Sequence, residues 1–167
     1  MTEGEPSASE RTRSLLPLTL LIAAAVVVVD QLTKHWAVSN LAGAAPRHVI
    51  WTLQWNLSFN SGMAFSRGQG MGVVIGLIAL VVVVVIIGAV RTNTDRLVAV
   101  AAGLVAGGAL GNVVDRLFRG DGLMRGAVID FIDFQWFPIF NVADMAVNVG
   151  GALFIIWSLF GARKATA

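Results

Sequence analysis

Four acidic side chains lie in or at the ends of long apolar segments, namely Asp30, Asp115, Asp130 and Asp144. A carboxylate at the centre of a bilayer costs about 3 kcal/mol even on the mildest scale, so an intramembrane acid is a functional candidate by default. Two carboxylates held close together cannot both ionise, and they then share a proton, so that one acts as base and the other as acid. The same acids could instead relay protons in a small transporter. The residues alone leave these two chemistries open.

Other kinds of catalytic site lack the residues that they need. The chain has no cysteine, which removes thiolate metal sites and cysteine nucleophiles. Its two histidines, His35 and His48, do not have the spacing of a zinc peptidase motif, so we expect no metal and no other cofactor. A serine nucleophile would have to be Ser61 or Ser66, and neither lies in a nucleophile-elbow motif.

The composition indicates a membrane protein. Of the 167 residues, 56% are hydrophobic and only 13% are charged, about half the charged share of a soluble domain, and the mean hydropathy is +0.77. A membrane-spanning helix needs about 20 mostly apolar residues. We therefore predict an all-α membrane protein with four transmembrane helices, over about 15–36, 70–90, 97–117 and 139–161. Because the basic residues behind the net charge of +2 are scattered, no nucleic-acid partner is expected.

An even number of spans puts both termini on the same side of the membrane. Basic residues are slightly more frequent on that side, so the positive-inside rule predicts cytoplasmic termini and an outward position for all four acids. The tryptophans of an outer interfacial belt would be Trp36, Trp51, Trp55 and Trp136. We interpret 1–13 as a disordered cytoplasmic tail, 14–162 as one transmembrane domain and 163–167 as a second cytoplasmic tail.

A segment with a different period lies between the first two spans. Apolar and polar residues alternate strictly from Trp51 to Asn60, which predicts a β-strand with one apolar face. The residues Asn60-Ser61-Gly62 then predict a turn. This small extracytoplasmic β-element could lie in the membrane interface as a shelf, or it could merely cover the ends of the helices. Both interpretations remain open at this point.

Polar side chains within the spans recur at helical spacing. Asp30 and Lys34 are four residues apart, so they share a helix face and can form a structural ion pair. In the third span, residues at 3-and-4 spacing are Asn112, Asp115 and Arg119. The fourth span carries a polar stripe of Asn141, Asp144 and Asn148. Such a stripe can hold helices together, but the acid within it favours a functional role.

Glycines form a ridge along the third span, at Gly103, Gly107 and Gly111. Small residues at this spacing are typical of a close contact between membrane helices. The ridge therefore also supports a third possibility, a purely structural membrane subunit.

Five sequence blocks resemble the lipoprotein signal peptidases, also called signal peptidase II, which are bacterial membrane aspartic peptidases. The blocks are Asp30-Gln31-Leu32-Thr33-Lys34, Asn60-Ser61-Gly62-Met63-Ala64-Phe65, the stretch 107–112 with Asp115-Arg116, the stretch from Gly126 to Asp130-Phe131, and Phe140-Asn141-Val142-Ala143-Asp144. They occur in the family's order and cover most of the chain from about residue 15 to 161. Each block is weak evidence by itself, but together they are highly specific.

The resemblance implies that Asp130 and Asp144 are the catalytic pair. The substrate would be a diacylglyceryl-modified prolipoprotein, cut just before the lipid-modified cysteine, and the expected inhibitor is globomycin. The resemblance further implies a monomer in the bacterial cytoplasmic membrane, in contact with lipid, with its active site at the extracytoplasmic face. The residues that it implies for substrate binding and support are Asn60, Gly62, Asn112, Asp115, Arg116, Asn141, Asp30 and Lys34. Among them, Asp115 is expected to buttress Arg116.

Two features bear on how well the resemblance fits. Thirteen residues separate Asp130 from Asp144, so the outer loop over the site should be small. Asp133 and Asp121 offer further carboxylates near this loop, and we interpret both as solvated loop residues because neither holds a motif position.

Overall fold

The computed structural model describes residues 14–62 and 71–161. The helices in these ranges are α1 (Leu16–Leu41), α2 (Met71–Ala89), α3 (Arg96–Phe118) and α4 (Val142–Ile156), and α4 continues as a π-helix over Trp157–Gly161. Four helices are long and apolar enough to cross a membrane, which confirms the predicted class. The predicted tails and residues 63–65 of the second sequence block lie outside the described residues.

The first helix is longer than its apolar run predicted. It continues to Leu41 rather than to about Trp36, because neither Gly nor Pro interrupts the helix before Gly43, which has φ +72°. One face of α1 is buried along its second half and carries Asp30 and Lys34 there. These two charged residues therefore point into the bundle.

Helix α3 lies at the centre and packs against the other three helices. The glycine ridge allows this packing, as predicted. A Cβ atom on Gly107 would lie 2.7 Å from the carbonyl oxygen of Ala23 in α1. On the opposite side of α3, a Cβ atom on Gly108 would collide with the carbonyl oxygen of Ala143 in α4. Both contacts bring helix backbones together more closely than any larger residue permits.

A small antiparallel sheet lies beside the bundle, in the order β1 (Arg47–Ile50), β2 (Leu53–Asn60) and β3 (Val128–Asp133). Strands β1 and β2 connect α1 to α2, which confirms the predicted β-element, whereas β3 comes from the α3–α4 connection. The prediction was wrong at Trp51. That residue has φ 53° in the turn between β1 and β2, so the strand begins at Leu53 instead.

The sheet packs on the last turns of α1. The buried residues of this contact are Ala37, Leu41, Ile129 and Phe131. Trp36 and Trp55 meet edge to face above it, with ring centroids 5.6 Å apart. The sheet therefore covers the end of α1, and by this packing it holds β3 close to α4, which contacts the same cluster through Val142.

Candidate active site

Asp130 and Asp144 come from β3 and from the first turn of α4, and one amide network joins them. The Asn141 side chain donates from Nδ2 to Asp130 Oδ1 at 2.6 Å, and its backbone N–H donates to Asp144 Oδ2 at 3.2 Å. Asn60 Nδ2 donates to Asp130 Oδ2 at 3.2 Å, and Asn112 Nδ2 donates to Asp144 Oδ1 at 2.8 Å. Each of the four carboxylate oxygens thus accepts an N–H. The fold brings these five predicted residues into one site.

The start of α4 is built by a reciprocal cap between Asn141 and Asp144. The Asn141 side-chain oxygen accepts the N–H of Asp144 at 2.9 Å while the Asp144 carboxylate accepts the N–H of Asn141. This is a capping box, which satisfies two backbone N–H groups that the first turn would leave free. The same local interaction fixes the orientation of the Asp144 carboxylate.

Burial makes the Asp130 carboxyl a proton carrier near neutral pH. The side chain is on β3, outside the spanning helices, and the residue is only 3% exposed. Loss of water around it, and next the charge of Asp144, raise the pKa of Asp130 from 3.8 to about 6, against the opposing effect of the hydrogen bonds from Asn141 and Asn60. A carboxylate pair in this state can hold one shared proton.

The turn after β2 holds Asn60 in place. Its side-chain oxygen accepts the N–H of Gly62 at 2.9 Å, so that its Nδ2 remains directed at Asp130. Gly62 has φ +82°, and a Cβ atom there would lie 2.8 Å from the backbone nitrogen of Gly72 at the start of α2. Only glycine fits both this conformation and this contact.

A fully buried ion cluster lies behind the two acids. Lys34 Nζ is 2.8 Å from Asp30 Oδ2 and 2.8 Å from Asp115 Oδ2, and none of the three side chains is exposed. Arg119 extends the cluster, with its Nε 2.8 Å from Asp115 Oδ1. The predicted ion pair between Asp30 and Lys34 is therefore confirmed, but it belongs to a larger network. Asp30 also accepts the N–H of Ala143 at 2.9 Å and so holds the residue before Asp144.

The expected support of Arg116 by Asp115 does not take the form of an ion pair among the described residues, because Asp115 pairs with Lys34 and Arg119. Neighbouring helix residues point about 100° apart, and Asp115 turns toward Lys34 and Arg119. Arg116 donates from Nη1 to the carbonyl oxygen of Asn112 at 3.1 Å. Among the described residues, nothing accepts from its buried Nε, which leaves a free donor beside the site.

An elongated cavity of about 720 Å³ opens between α2 and α4 and reaches the site. Its polar lining residues are Asn112, Arg116, Asp144 and Asn148. Apolar side chains complete the walls, including Ile75 of α2 and the aromatic rings of Phe137 and Phe140. The cavity can therefore hold an apolar segment with its polar end against the Asp144 carboxylate.

The interpretation of Asp133 as a solvated loop residue is also wrong, whereas Asp121 is exposed as expected. Asp133 is the last residue of β3 and only 6% exposed. Its carboxylate accepts from Gln54 Nε2 at 2.8 Å, Asn56 Nδ2 at 2.9 Å and the N–H of Gln135. An irregularity in the β2–β3 register provides these partners, and no local sequence signal reveals it. The hydrogen bonds from Asn56 and Gln54 lower the pKa of Asp133.

Replacing Asp133 by Ala should destabilise the fold by about 2 kcal/mol, because two half-buried amide donors lose their acceptor. Thermal unfolding in detergent measures the change, with the exposed Asp121→Ala as the matched control. Since the pKa of Asp133 is lowered in the folded state, its stabilisation is present at neutral pH and is lost as the pH falls below about 4. Equal unfolding temperatures for the two variants at pH 7 would contradict this role.

Gln31 belongs to the first sequence block, but no role was predicted for it. The Gln31 side chain donates to Asp30 at 3.2 Å, to the carbonyl oxygen of Gly111 at 3.2 Å and to Asp115 at 3.1 Å. It thereby joins α1 to α3 on the far side of the ion cluster. Its neighbour Asp30 was the only signal in the sequence, since a glutamine at a helix edge is otherwise unremarkable.

Four helices are long enough to span a membrane, and the Asp144 carboxylate lines a cavity among them. These features define an integral membrane protein with an acidic site in its helix bundle. Residues 22–160 match the family model described as signal peptidase (SPase) II. The chain belongs to the signal peptidase II family and is therefore a membrane protease. Of the functions that the residues alone left open, the family supports the hydrolase.

Curated relatives and solved structures agree with this assignment. The chain is 42% identical over 159 residues to the lipoprotein signal peptidase of Mycobacterium avium, covering 95% of this chain and 87% of the relative. It is 43% identical to that of Mycobacterium tuberculosis, with 95% and 78% covered. Two solved structures described as bacterial membrane enzymes, at 2.3 and 1.9 Å resolution, are 29% and 28% identical with TM-scores of 0.76 and 0.77. They align with 88% and 89% of this chain, and with 90% and 96% of their own.

Proposed function

We propose that this protein removes the signal peptide from diacylglyceryl-modified prolipoproteins by cutting just before the lipid-modified cysteine, with water activated by Asp130 and Asp144. The observation that carries the proposal is the shared network in which Asn141 bonds to both carboxylates. A single asparagine can hold two acids in fixed orientations without supplying a charge of its own. The family supplies the substrate class, and the paired acids supply the chemistry.

The reaction needs one carboxylate and one carboxylic acid. Because the pKa of Asp130 is raised to about 6, Asp130 starts with the shared proton in this mechanism, and Asp144 starts as the base. The Asp144 carboxylate takes a proton from water as the water oxygen bonds to the scissile carbonyl carbon. The Asp130 carboxyl gives its proton to the carbonyl oxygen. When the tetrahedral intermediate collapses, the C–N bond breaks and the leaving nitrogen receives a proton from the acid formed at Asp144. One hydroxyl group of the intermediate returns its proton to the Asp130 carboxylate and becomes a carbonyl oxygen. No covalent intermediate and no metal ion are required.

Arg116 and Asn112 are suited to hold the substrate backbone. Arg116 lines the cavity, and its Nε–H, for which the described residues offer no acceptor, can donate to a substrate carbonyl oxygen. Such a hydrogen bond satisfies a donor that is otherwise buried without a partner. We therefore propose that substrate binding completes the hydrogen bonds of this guanidinium.

The cavity between α2 and α4 suits a substrate that remains in the membrane. The signal peptide would lie along its apolar walls, and the diacylglyceryl chains would remain in lipid. The sheet would serve as the resting surface near the bilayer interface, where exposed aromatic residues such as Trp51 and Trp136 favour contact with headgroups. In this arrangement both termini are cytoplasmic and the acids lie at the extracytoplasmic end of the bundle.

Cleavage of a purified prolipoprotein tests this function directly. The protein in detergent micelles is given the diacylglyceryl-modified precursor, and mass spectrometry identifies both products. We expect a free signal peptide and a mature chain that begins with the modified cysteine, no cleavage of the unmodified precursor, inhibition by globomycin and no effect of EDTA. Cleavage at another bond, or no cleavage of the modified precursor, would overturn the proposal.

A further inference from the structure

Among the described residues, the buried ammonium group of Lys34 has three acceptors. Its Nζ is 2.8 Å from Asp30 Oδ2, 2.8 Å from Asp115 Oδ2 and 2.9 Å from Asn112 Oδ1. An ammonium carries three N–H donors and no acceptor, so these contacts use its whole hydrogen-bonding capacity. The atom of Asn112 that faces Lys34 must therefore be the side-chain oxygen.

This requirement determines what Asn112 offers to Asp144. With its oxygen toward Lys34, the amide turns its NH₂ group toward Asp144 Oδ1, at 2.8 Å. The same oxygen also accepts from Asn141 Nδ2 at 3.2 Å. The NH₂ group of Asn141 in turn donates to Asp130 Oδ1 at 2.6 Å. The NH₂ groups of Asn112 and Asn141 thus reach Asp144 and Asp130, while the Asn112 oxygen accepts from Lys34 and Asn141.

The opposite orientation of the Asn112 amide would disfavour the ionised form of the acid that it faces. An Asn112 amide rotated by 180° would aim its oxygen at the Asp144 carboxylate and would leave Asn141 Nδ2 without that acceptor. Two lone pairs facing each other repel, and they disfavour the ionised form of a carboxyl group. An amide can rotate in this way with little steric change, since its oxygen and nitrogen are nearly equal in size.

We propose that Lys34 is a positioning residue that sets the direction of the amide network, so that Asn112 and Asn141 present N–H donors to Asp144 and Asp130. This inference rests on the proposed function, because its effect is read through the catalytic pair. It assigns to Lys34 a role distinct from that of Asp30, which holds the start of α4 through the N–H of Ala143.

The test must remove the ammonium without leaving an unbalanced buried charge. Asp30→Asn with Lys34→Met removes one charge of each sign, and Asp115 keeps its ion pair with Arg119. The matched control is Asp30→Asn alone, which retains the ammonium and an oxygen that can accept from Ala143. Asp30→Asn with Lys34→Gln is the second variant, because glutamine is polar and fills similar space but imposes no donor on Asn112.

We expect kcat of the double variants to fall about 10- to 100-fold below the control, with KM within about threefold, since the lost hydrogen bonds reach a charged group at the reacting centre. Adding Asn112→Leu should reduce kcat in the control but have little further effect in the Lys34→Met background. Such coupling distinguishes a positioning role from general destabilisation, in which the two losses would multiply.

The pH profile supplies a readout that a merely structural role would not move. Within 14–62 and 71–161, the charged or titratable groups that act on the pair are Lys34 from α1, Arg116 from α3 and the two acids themselves, and Asp30 and Asp115 pair with Lys34. Without the fixed donors, the acidic limb of kcat/KM should move to higher pH. An unchanged profile and kcat in either folded double variant would overturn the role of Lys34. If wild type and control do not cut the modified precursor, the proposed function fails instead.

Discussion

Replacing Asp130 or Asp144 by Asn should lower cleavage of the modified prolipoprotein roughly 1,000-fold or more while the protein remains folded. Asparagine keeps the shape of the side chain but can neither take the proton from water nor return one to the leaving nitrogen. Both changes also replace a carboxyl group that accepts hydrogen bonds from neighbouring amides. The measurement is the single-turnover rate on purified precursor, with thermal unfolding as the check on folding.

The control for this experiment is Asp121→Asn, because Asp121 is exposed in the loop between α3 and β3. It should cleave at the wild-type rate. Retention of more than about a tenth of the activity by either Asp130→Asn or Asp144→Asn would show that the pair is not the catalytic one, since general acid–base catalysis contributes at least about 100-fold.

The pH dependence of the wild-type enzyme follows from the raised pKa of Asp130. A carboxyl group with a pKa of about 6 is protonated below that pH and ionised above it. The single shared proton is therefore lost as the pH rises through about 6, and kcat/KM should fall on that alkaline side. A bound substrate removes more water from the pair, so the corresponding limb of kcat should lie at higher pH.

The same pKa has a cost in stability. Raising it from 3.8 to about 6 means that the folded state binds the proton more tightly than the unfolded chain does. Stability therefore decreases as the pH rises from about 4 to 6, by about 3 kcal/mol in total for this group. The burial that allows this carboxyl group to hold a proton therefore lowers the stability of the folded protein at neutral pH.

Gly108 lies outside the site, but replacing it by Ala should lower both the stability and the cleavage activity of the enzyme. The added Cβ atom would collide with the carbonyl oxygen of Ala143 and approach Val147 Cγ2 to 2.8 Å. Helix α4 would have to move away from α3, and Asp144, the residue after Ala143, would move with it. We expect a loss of about 1–3 kcal/mol in stability from overpacking, and a loss of about 100-fold in activity from misplacement of the carboxylate.

Gly151→Ala is the control, since Gly151 lies on α4, the helix that Gly108 contacts, and nothing is within 4 Å of the added atom. Alanine is the better helix former, so this control should be as stable as wild type or slightly more stable. Thermal unfolding and cleavage rates of the two variants decide the matter. A Gly108→Ala protein as active and as stable as Gly151→Ala would mean that α3 and α4 do not need this close contact.

Structural features that depend on residues close together in the sequence were predictable from the sequence. The four apolar runs predicted four spans, because an apolar segment in lipid must satisfy its backbone N–H and C=O groups internally, as a helix does. The Asp30–Lys34 pair followed from one helical turn, and the alternation after Leu53 predicted a strand. Recognition of the family blocks then named the two acids as a catalytic pair, a role that stays a prediction until the variants are measured.

Only the tertiary structure decided how these elements face one another. Asp115 turned to Lys34 rather than to Arg116, and Asp133 became a buried acceptor, because helix rotation and strand register assign partners far away in the chain. The contact between Lys34 and Asn112 joins residues 78 positions apart and has no local signature. Local periodicity is a property of short segments, whereas the direction of an amide depends on every group that surrounds it. That is why the acids could be found in the sequence and the network that orients them could not.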